Sequence, residues 1–395
     1  MLDFFKQSYS SNIPKFYVAI FFDAMWFAGP VWILYFLSIG LNFEQIGILV
    51  GISFIVQAFF EIPSSVWADR YSRKNILIIG MSFWFVAQII FLSANSFYFF
   101  IFAAIFQGLS NSFFSGTESA IVYDTLLNMG REKEYGKIQS KIHSIFFLGR
   151  IIISIGGVLA YSYDKKLPFL LSVITSLIAV FIFSLIKEPR FHKSSGTHFG
   201  QMKEGFGFLL ANEKVWLIVL VFSLLQAAAN ILYNYYQPVF DLAGLPIAYF
   251  AVVYLGINIA SYIGSMSYSK LANKLSFNKI LAIYLLIAFL VSLAFAFGKL
   301  IFILPLVLFL SFCFGSFDVY ITSLINKVVP SSHRATTISI QSLINTVMMS
   351  FLLIIVGRIS NEYSIFWGMI FNAGVILFAC VAFLYVKINN SKLNK

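Results

Sequence analysis

Four ionisable residues sit deep inside long apolar runs of this chain: Asp23, Glu61, Glu118 and Arg150. At about 1.5 Å of rise per residue, each lies roughly 12–16 Å from the end of its own run, so all four share one depth band. An isolated charge at that depth in hydrocarbon is expensive, and it demands a partner or a water-filled cavity. Two chemistries fit. A carboxylic acid in a low-dielectric cavity can gain and lose a proton near neutral pH, while a nearby arginine holds a second carboxylate charged. Glu118 is the first candidate for such a proton carrier, Asp23 the second and Glu61 the third. The competing chemistry is structural: an ion pair of Arg150 with Glu118 or Glu61 that ties helices together.

No catalytic constellation accompanies these charges. There is no glycine-rich nucleotide loop with its lysine, no His/Cys set at metal-ligand spacing and no nucleophile–base–acid arrangement. An enzyme, a metal site and a bound cofactor are therefore not expected. Cys313 and Cys380 both lie in apolar runs and read as small core residues.

The elements that must position the charges are membrane spans. Hydrophobic residues make up 60% of the 395 and charged residues 11%, against roughly 25% charged in a soluble domain. A bilayer-spanning helix needs about 20 mainly apolar residues, and such runs recur about twelve times. They fall at 15–37, 43–67, 75–94, 97–127, 139–162 and 166–186, then at 214–239, 246–270, 278–297, 300–328, 335–359 and 363–387. The start, Met1 to Lys6, lacks the compact signal-peptide pattern, so the first run is expected to be a span. With both termini in the cytoplasm, every Lys and Arg lies on the cytoplasmic side except Lys165, Lys166, Lys299, Arg358 and the intramembrane Arg150. That asymmetry fits the positive-inside rule, and it explains the net charge of +11 through an anionic leaflet, with no nucleic-acid partner. The expected fold is all-α: two six-helix bundles over 1–186 and 214–395, joined by a cytoplasmic linker at 187–213.

Between the second and third runs stands a charged turn, Asp69-Arg70-Tyr71-Ser72-Arg73-Lys74, and a similar layout returns around Lys274 and Lys279. The first turn resembles the loop signature of the major facilitator superfamily, with Ser65 and Ser72 where that signature usually has glycine. The resemblance, with twelve spans in two halves, covers essentially the whole chain. It implies alternating access around a central cavity lined by helices 1 and 4, which favours Asp23 and Glu118 as solute-facing. It also implies a gate in which Asp69 meets helix 11 and Arg73 meets Asp124 on helix 4, with Arg70 and Lys274 beside the turns. The plainer alternative is that the basic residues anchor a loop to phosphates. The segment Ser115 to Asp124 resembles a bacterial drug-efflux-like branch. Ala104 replaces the helix 4 arginine common in proton-coupled exporters, and helix 5 lacks their proline-containing glycine pattern.

The solute-facing candidates are Trp26 and Trp32 on helix 1, Gln226, Asn230, Tyr233 and Asn234 on helix 7, and Asp318 on helix 10. Gln226, Asn230 and Asn234 recur every four positions and share one helix face. Aromatic walls with a few amides and carboxylates suit an amphipathic or cationic organic molecule. The expected function is a proton-coupled secondary exporter of small hydrophobic or cationic compounds. It would act as a monomer in the bacterial cytoplasmic membrane, with lipids, protons and the solute as its partners. A transporter of one metabolite (a siderophore, peptide or amino acid) is the alternative, and a non-transporting receptor a more distant one.

Overall fold

A computed structural model describes residues 8–190, 206–274, 277–297, 300–329 and 334–392. All regular structure among them is helical. The first apolar run forms α1 (Tyr9–Asp23) and α2 (Trp32–Ser38), a correction to the continuous span expected over 15–37. Ser8 and Ser11 form a capping box that starts α1. The break has a local cause: Pro30 has no N–H to give to Trp26, so Gly29 donates to the Trp26 carbonyl instead. Next come α3 (Phe43–Arg70) and α4 (Arg73–Ser93).

The expected span 97–127 is likewise two helices, α5 (Phe97–Phe114) and α6 (Thr117–Leu127). They separate at Gly116, whose φ of 72° is left-handed. No atom lies within 4 Å of where a Gly116 Cβ would stand, so Gly116→Ala tests the backbone alone. It is expected to cost about 1–2 kcal/mol through that conformation, read as a lowered unfolding temperature in detergent. The half is completed by α7 (Tyr135–Tyr163) and α8 (Leu167–Ser184). After it come α9 (Glu213–Leu242), α10 (Phe250–Lys274), α11 (Phe277–Phe297), α12 (Leu300–Val328), α13 (Arg334–Glu362) and α14 (Ile365–Lys392).

Nine helical segments among the described residues are long and apolar enough to cross a membrane, and Ala282–Phe297 and Phe302–Ser316 are shorter apolar helices. Large apolar side chains such as Phe59 (78% exposed) and Phe378 (67%) stand open on the surface, an arrangement that lipid tolerates and water does not. The chain is an integral, multi-pass, all-α membrane protein.

The chain divides into two compact units. Unit one is Met1–Tyr35, Ile52–His198 and Phe250–Val252; unit two is Phe36–Gly51, Phe199–Tyr249 and Val253–Lys395. Helix α3 thus contributes its first turns to unit two and the rest to unit one. Lipid is as apolar as leucine, so cohesion inside each unit depends on close packing and hydrogen bonds rather than on escape from water. In unit one the core gathers Phe16, Leu77, Met81, Ile121, Leu126 and Phe183. Helix α7 lies against the α1–α2 break: a Cβ on Gly149 would stand 2.8 Å from the Ala24 Cβ, and one on Gly157 would meet the Phe27 carbonyl. In unit two, Gly47 packs on the Leu353 backbone, and Ser350 donates to the Gly51 carbonyl at 2.7 Å.

Candidate functional site

The two helix breaks in unit one border one cavity of about 450 Å³. Helix α1 ends at Asp23, and the unwound stretch beyond it presents Trp26. Helix α7 brings Phe146 and Arg150, α3 brings Gln57, α4 brings Trp84, and α5 with the Ser115 turn brings Gln107 and Asn111. Trp26 meets Trp84 edge to face at 5.7 Å and Trp32 at 6.3 Å. The Arg150 guanidinium lies 4.9 Å from the Phe146 ring centroid, within cation–π range. Asp23 interacts electrostatically with Arg150, and Glu118 with Asp23.

Asp23 and Arg150 therefore share one wall system, as do Trp26 and Trp84. Glu118 is the second residue of α6, outside the lining set, and its buried Oε1 has no hydrogen-bond partner among the described residues. Glu61 is half-buried on α3, with its Oε2 in the same condition. Gln57, Trp84, Gln107, Asn111 and Phe146 were missed as site residues. Amides interrupting apolar runs were the available signal, but no periodicity indicated which way they faced.

A second polar cluster surrounds the 69–74 turn. Arg73 Nη1 pairs with Asp124 Oδ2, and the two side chains are only 17% and 10% exposed. Ser72 caps α4 by accepting from Asn75 N–H at 3.0 Å. Glu188, from the irregular segment after α8, was not anticipated. It accepts from Ser72 Oγ at 2.5 Å and from the Arg73 and Lys74 N–H groups at 3.0 Å each. A carboxylate there satisfies orphan donors and complements the positive end of the helix.

The same segment is held at several further points. Asn12 exchanges hydrogen bonds with Lys187 at 2.8 and 2.9 Å. The fully buried Lys15 donates to the Leu185 carbonyl at 2.7 Å, and Asn128 donates to the Arg190 carbonyl at 2.7 Å. The start of the expected linker is thus docked on unit one. Glu188→Ala should cost about 2 kcal/mol, as for charge-assisted bonds lost, and speed tryptic cleavage after Lys187 and Arg190. Glu188→Gln, which keeps the acceptor oxygen, should fall between the two.

The side chains of Asp69, Arg70 and Asp318 lie outside the described residues. Lys274 is exposed at the end of α10. In unit two, the predicted amide face on α9 exists but is partly spent on its own helix. Asn230 donates to the Gln226 carbonyl at 2.9 Å and Asn234 to the Asn230 carbonyl at 2.8 Å. Gln341 on α13 donates to Gln226 Oε1 at 3.3 Å. Tyr233 is 40% exposed, with its ring 6.3 Å from that of Tyr236.

A multi-pass helical membrane protein with a charged cavity at the breaks in its spans has the build of a secondary transporter. The chain belongs to the Major Facilitator Superfamily, whose family model matches residues 16–353. It is 26% identical over 357 residues to the uncharacterized MFS-type transporter YxaM of Bacillus subtilis strain 168, covering 87% of each chain. It is 26% identical over 213 residues to the quinolone resistance protein NorA of Staphylococcus aureus strain MSSA476, covering 52% of this chain and 53% of that one. Its fold matches the crystal structure of a mutant of the nucleoside transporter NupG with a TM-score of 0.79 at 14% identity, covering 95% of this chain and 99% of that one. The protein is a secondary-active transporter of small molecules working by alternating access, and not an enzyme.

Proposed function

We propose that this transporter is a proton-coupled exporter of small hydrophobic or cationic organic compounds. The cavity in unit one carries the reading: a carboxylate, Asp23, and the faces of Trp26 and Trp84 share one space at the helix breaks. Such a site attracts an amphipathic cation, and protonation of its carboxylate releases one. Glu118, Asp23, Glu61 and Arg150 form the coupling group. Trp26 and Trp32 would contact the solute from the first half, and Gln226, Asn230, Tyr233, Asn234 and Asp318 from the second. The similarity to a quinolone resistance protein supports the outward direction. In this reading the spans number twelve, in two six-helix bundles over 1–186 and 214–395 with 187–213 as linker. Charge asymmetry supports cytoplasmic termini in a bacterial inner membrane. The turn residues Asp69, Arg70, Arg73, Asp124 and Lys274 act as the gate, and one chain suffices.

Flux into proteoliposomes under an imposed pH gradient tests the proposal. Solute-dependent proton movement supports it; flux indifferent to the gradient leaves a facilitator, and silence across a broad solute panel leaves a receptor. The amide ladder of Gln226, Asn230 and Asn234, with Gln341 in register, favours a single polar metabolite as the second reading.

A further inference from the structure

We infer that the organic cations taken by the cavity of unit one bear a carboxamide or a similar donor–acceptor group, read by the side chains of Gln57, Gln107 and Asn111. The inference rests on the reading of this cavity as the seat of an organic cation and narrows that class. Gln107 and Asn111 stand one helical turn apart on α5 and share a face, while Gln57 comes from α3. All three line the same space of about 450 Å³ and are half-buried. Their side-chain amides have no hydrogen-bond partner among the described residues. Elsewhere in the spans Asn230, Asn234 and Asn258 each donate to the carbonyl four residues back. Asn111 has the Gln107 carbonyl at that spacing, yet its amide is not turned onto it.

Close packing holds the amides in place. A Cβ on Gly108 would stand 2.3 Å from the Ser53 carbonyl oxygen, so glycine lets α5 press directly onto α3. Ser64 Oγ on α3 donates to the Ser112 carbonyl on α5 at 2.8 Å. Each carboxamide offers an acceptor oxygen and two N–H donors. A secondary amide, lactam or urea answers both kinds of group, whereas an ester, ether or tertiary amine brings no donor. Water meets such side chains in an open cavity, and a solute that displaces it gains affinity only by making the same bonds. A site built on hydrogen bonds therefore rejects an analogue lacking one group more sharply than an apolar pocket rejects a missing methylene. The rest of the solute keeps the places already described: its cation on Asp23 and its ring against Trp26 and Trp84.

The test is equilibrium dialysis of procainamide and procaine against the purified full chain. The two probes share a protonated diethylamino group and an aminophenyl ring; one has an amide N–H where the other has an ester oxygen. Procainamide should bind about tenfold more tightly at neutral pH. Gln57→Met, Gln107→Met and Asn111→Leu remove an amide at similar volume. In at least one of them the preference should fall below about threefold while procaine still binds, which a misfolded variant would not show. Asp23→Asn should weaken both probes alike and keep the preference. Equal binding of the two probes to the unaltered protein overturns the amide assignment, and weakening of both by Asp23→Asn then leaves the cation reading standing. A preference that survives undiminished in all three amide variants overturns the assignment as well. Failure of both probes to bind also overturns it, and the cation reading is then judged separately by pH-driven flux in Asp23→Asn.

Discussion

Asp23→Asn is expected to leave the protein inserted and monodisperse but reduce uphill, pH-driven transport to the passive leak. Downhill exchange of solute for solute should survive. Asparagine keeps the size and the hydrogen-bonding capacity of the side chain while removing its proton chemistry. Asp23 is at the wall of the cavity, at the last turn of α1, where solute and proton can meet on one group. Glu118→Gln is the necessary comparison, because interacting carboxyls divide one macroscopic titration between them, and Glu118 interacts with Asp23. If Asp23 is the carrier, Glu118→Gln shifts the pH profile of flux and retains coupling. Normal pH-driven accumulation by Asp23→Asn would transfer the role to Glu118. Normal accumulation by both variants would remove proton coupling from this site and leave Arg150 as a structural partner.

The largest loss of stability is expected from Asp124→Ala. The carboxylate is nearly enclosed and carries the Arg73 guanidinium, and removing one member of a buried ion pair costs about 3–5 kcal/mol through the lost counter-charge. Arg73→Ala should cost a similar amount. The double variant should be clearly more stable than the sum of the two single losses predicts. Denaturant unfolding of the purified protein in one detergent, run as a double-mutant cycle, measures the coupling. Additive losses would mean that the pair contributes little and that each residue acts through other neighbours. Distances between labels on the two halves of the protein, measured on the same variants, report whether the pair also governs the gate.

Much of this was legible from residue types and spacing, and the rest was not for identifiable physical reasons. The Arg73–Asp124 pair could be named because the turn's resemblance to the superfamily signature implied it, with an acid near the end of the facing helix run. Membrane residence followed from composition and run length. The rotation of the helices could not be read, since spans that are apolar on every face carry no amphipathic signal. Depth therefore could not separate Asp23 from Glu118, which was expected to be the first candidate for the proton carrier, and of the two the structure places only Asp23 on the cavity wall. The breaks at Gly29–Pro30 and Gly116 also reset helical phase. A proline or glycine in a span is no firm sign of such a break, because membrane helices tolerate both. Glu188 was hidden differently: its partners, the N–H groups of Arg73 and Lys74, are more than a hundred positions away along the chain.

The divided first span has a consequence for how the chain is made. Its two pieces, Tyr9–Asp23 and Trp32–Ser38, are each too short to cross a bilayer, and an aspartate near the middle of a span adds about 2.5–3.5 kcal/mol to its insertion cost. During synthesis this segment cannot be secured by its own hydropathy. The surface that accepts it, Gly149 to Gly157 of α7, leaves the ribosome only after more than a hundred further residues. A segment translated well before its partner is thus among the last of unit one to find a settled place, and until then the nascent chain depends on the insertion machinery to shelter it.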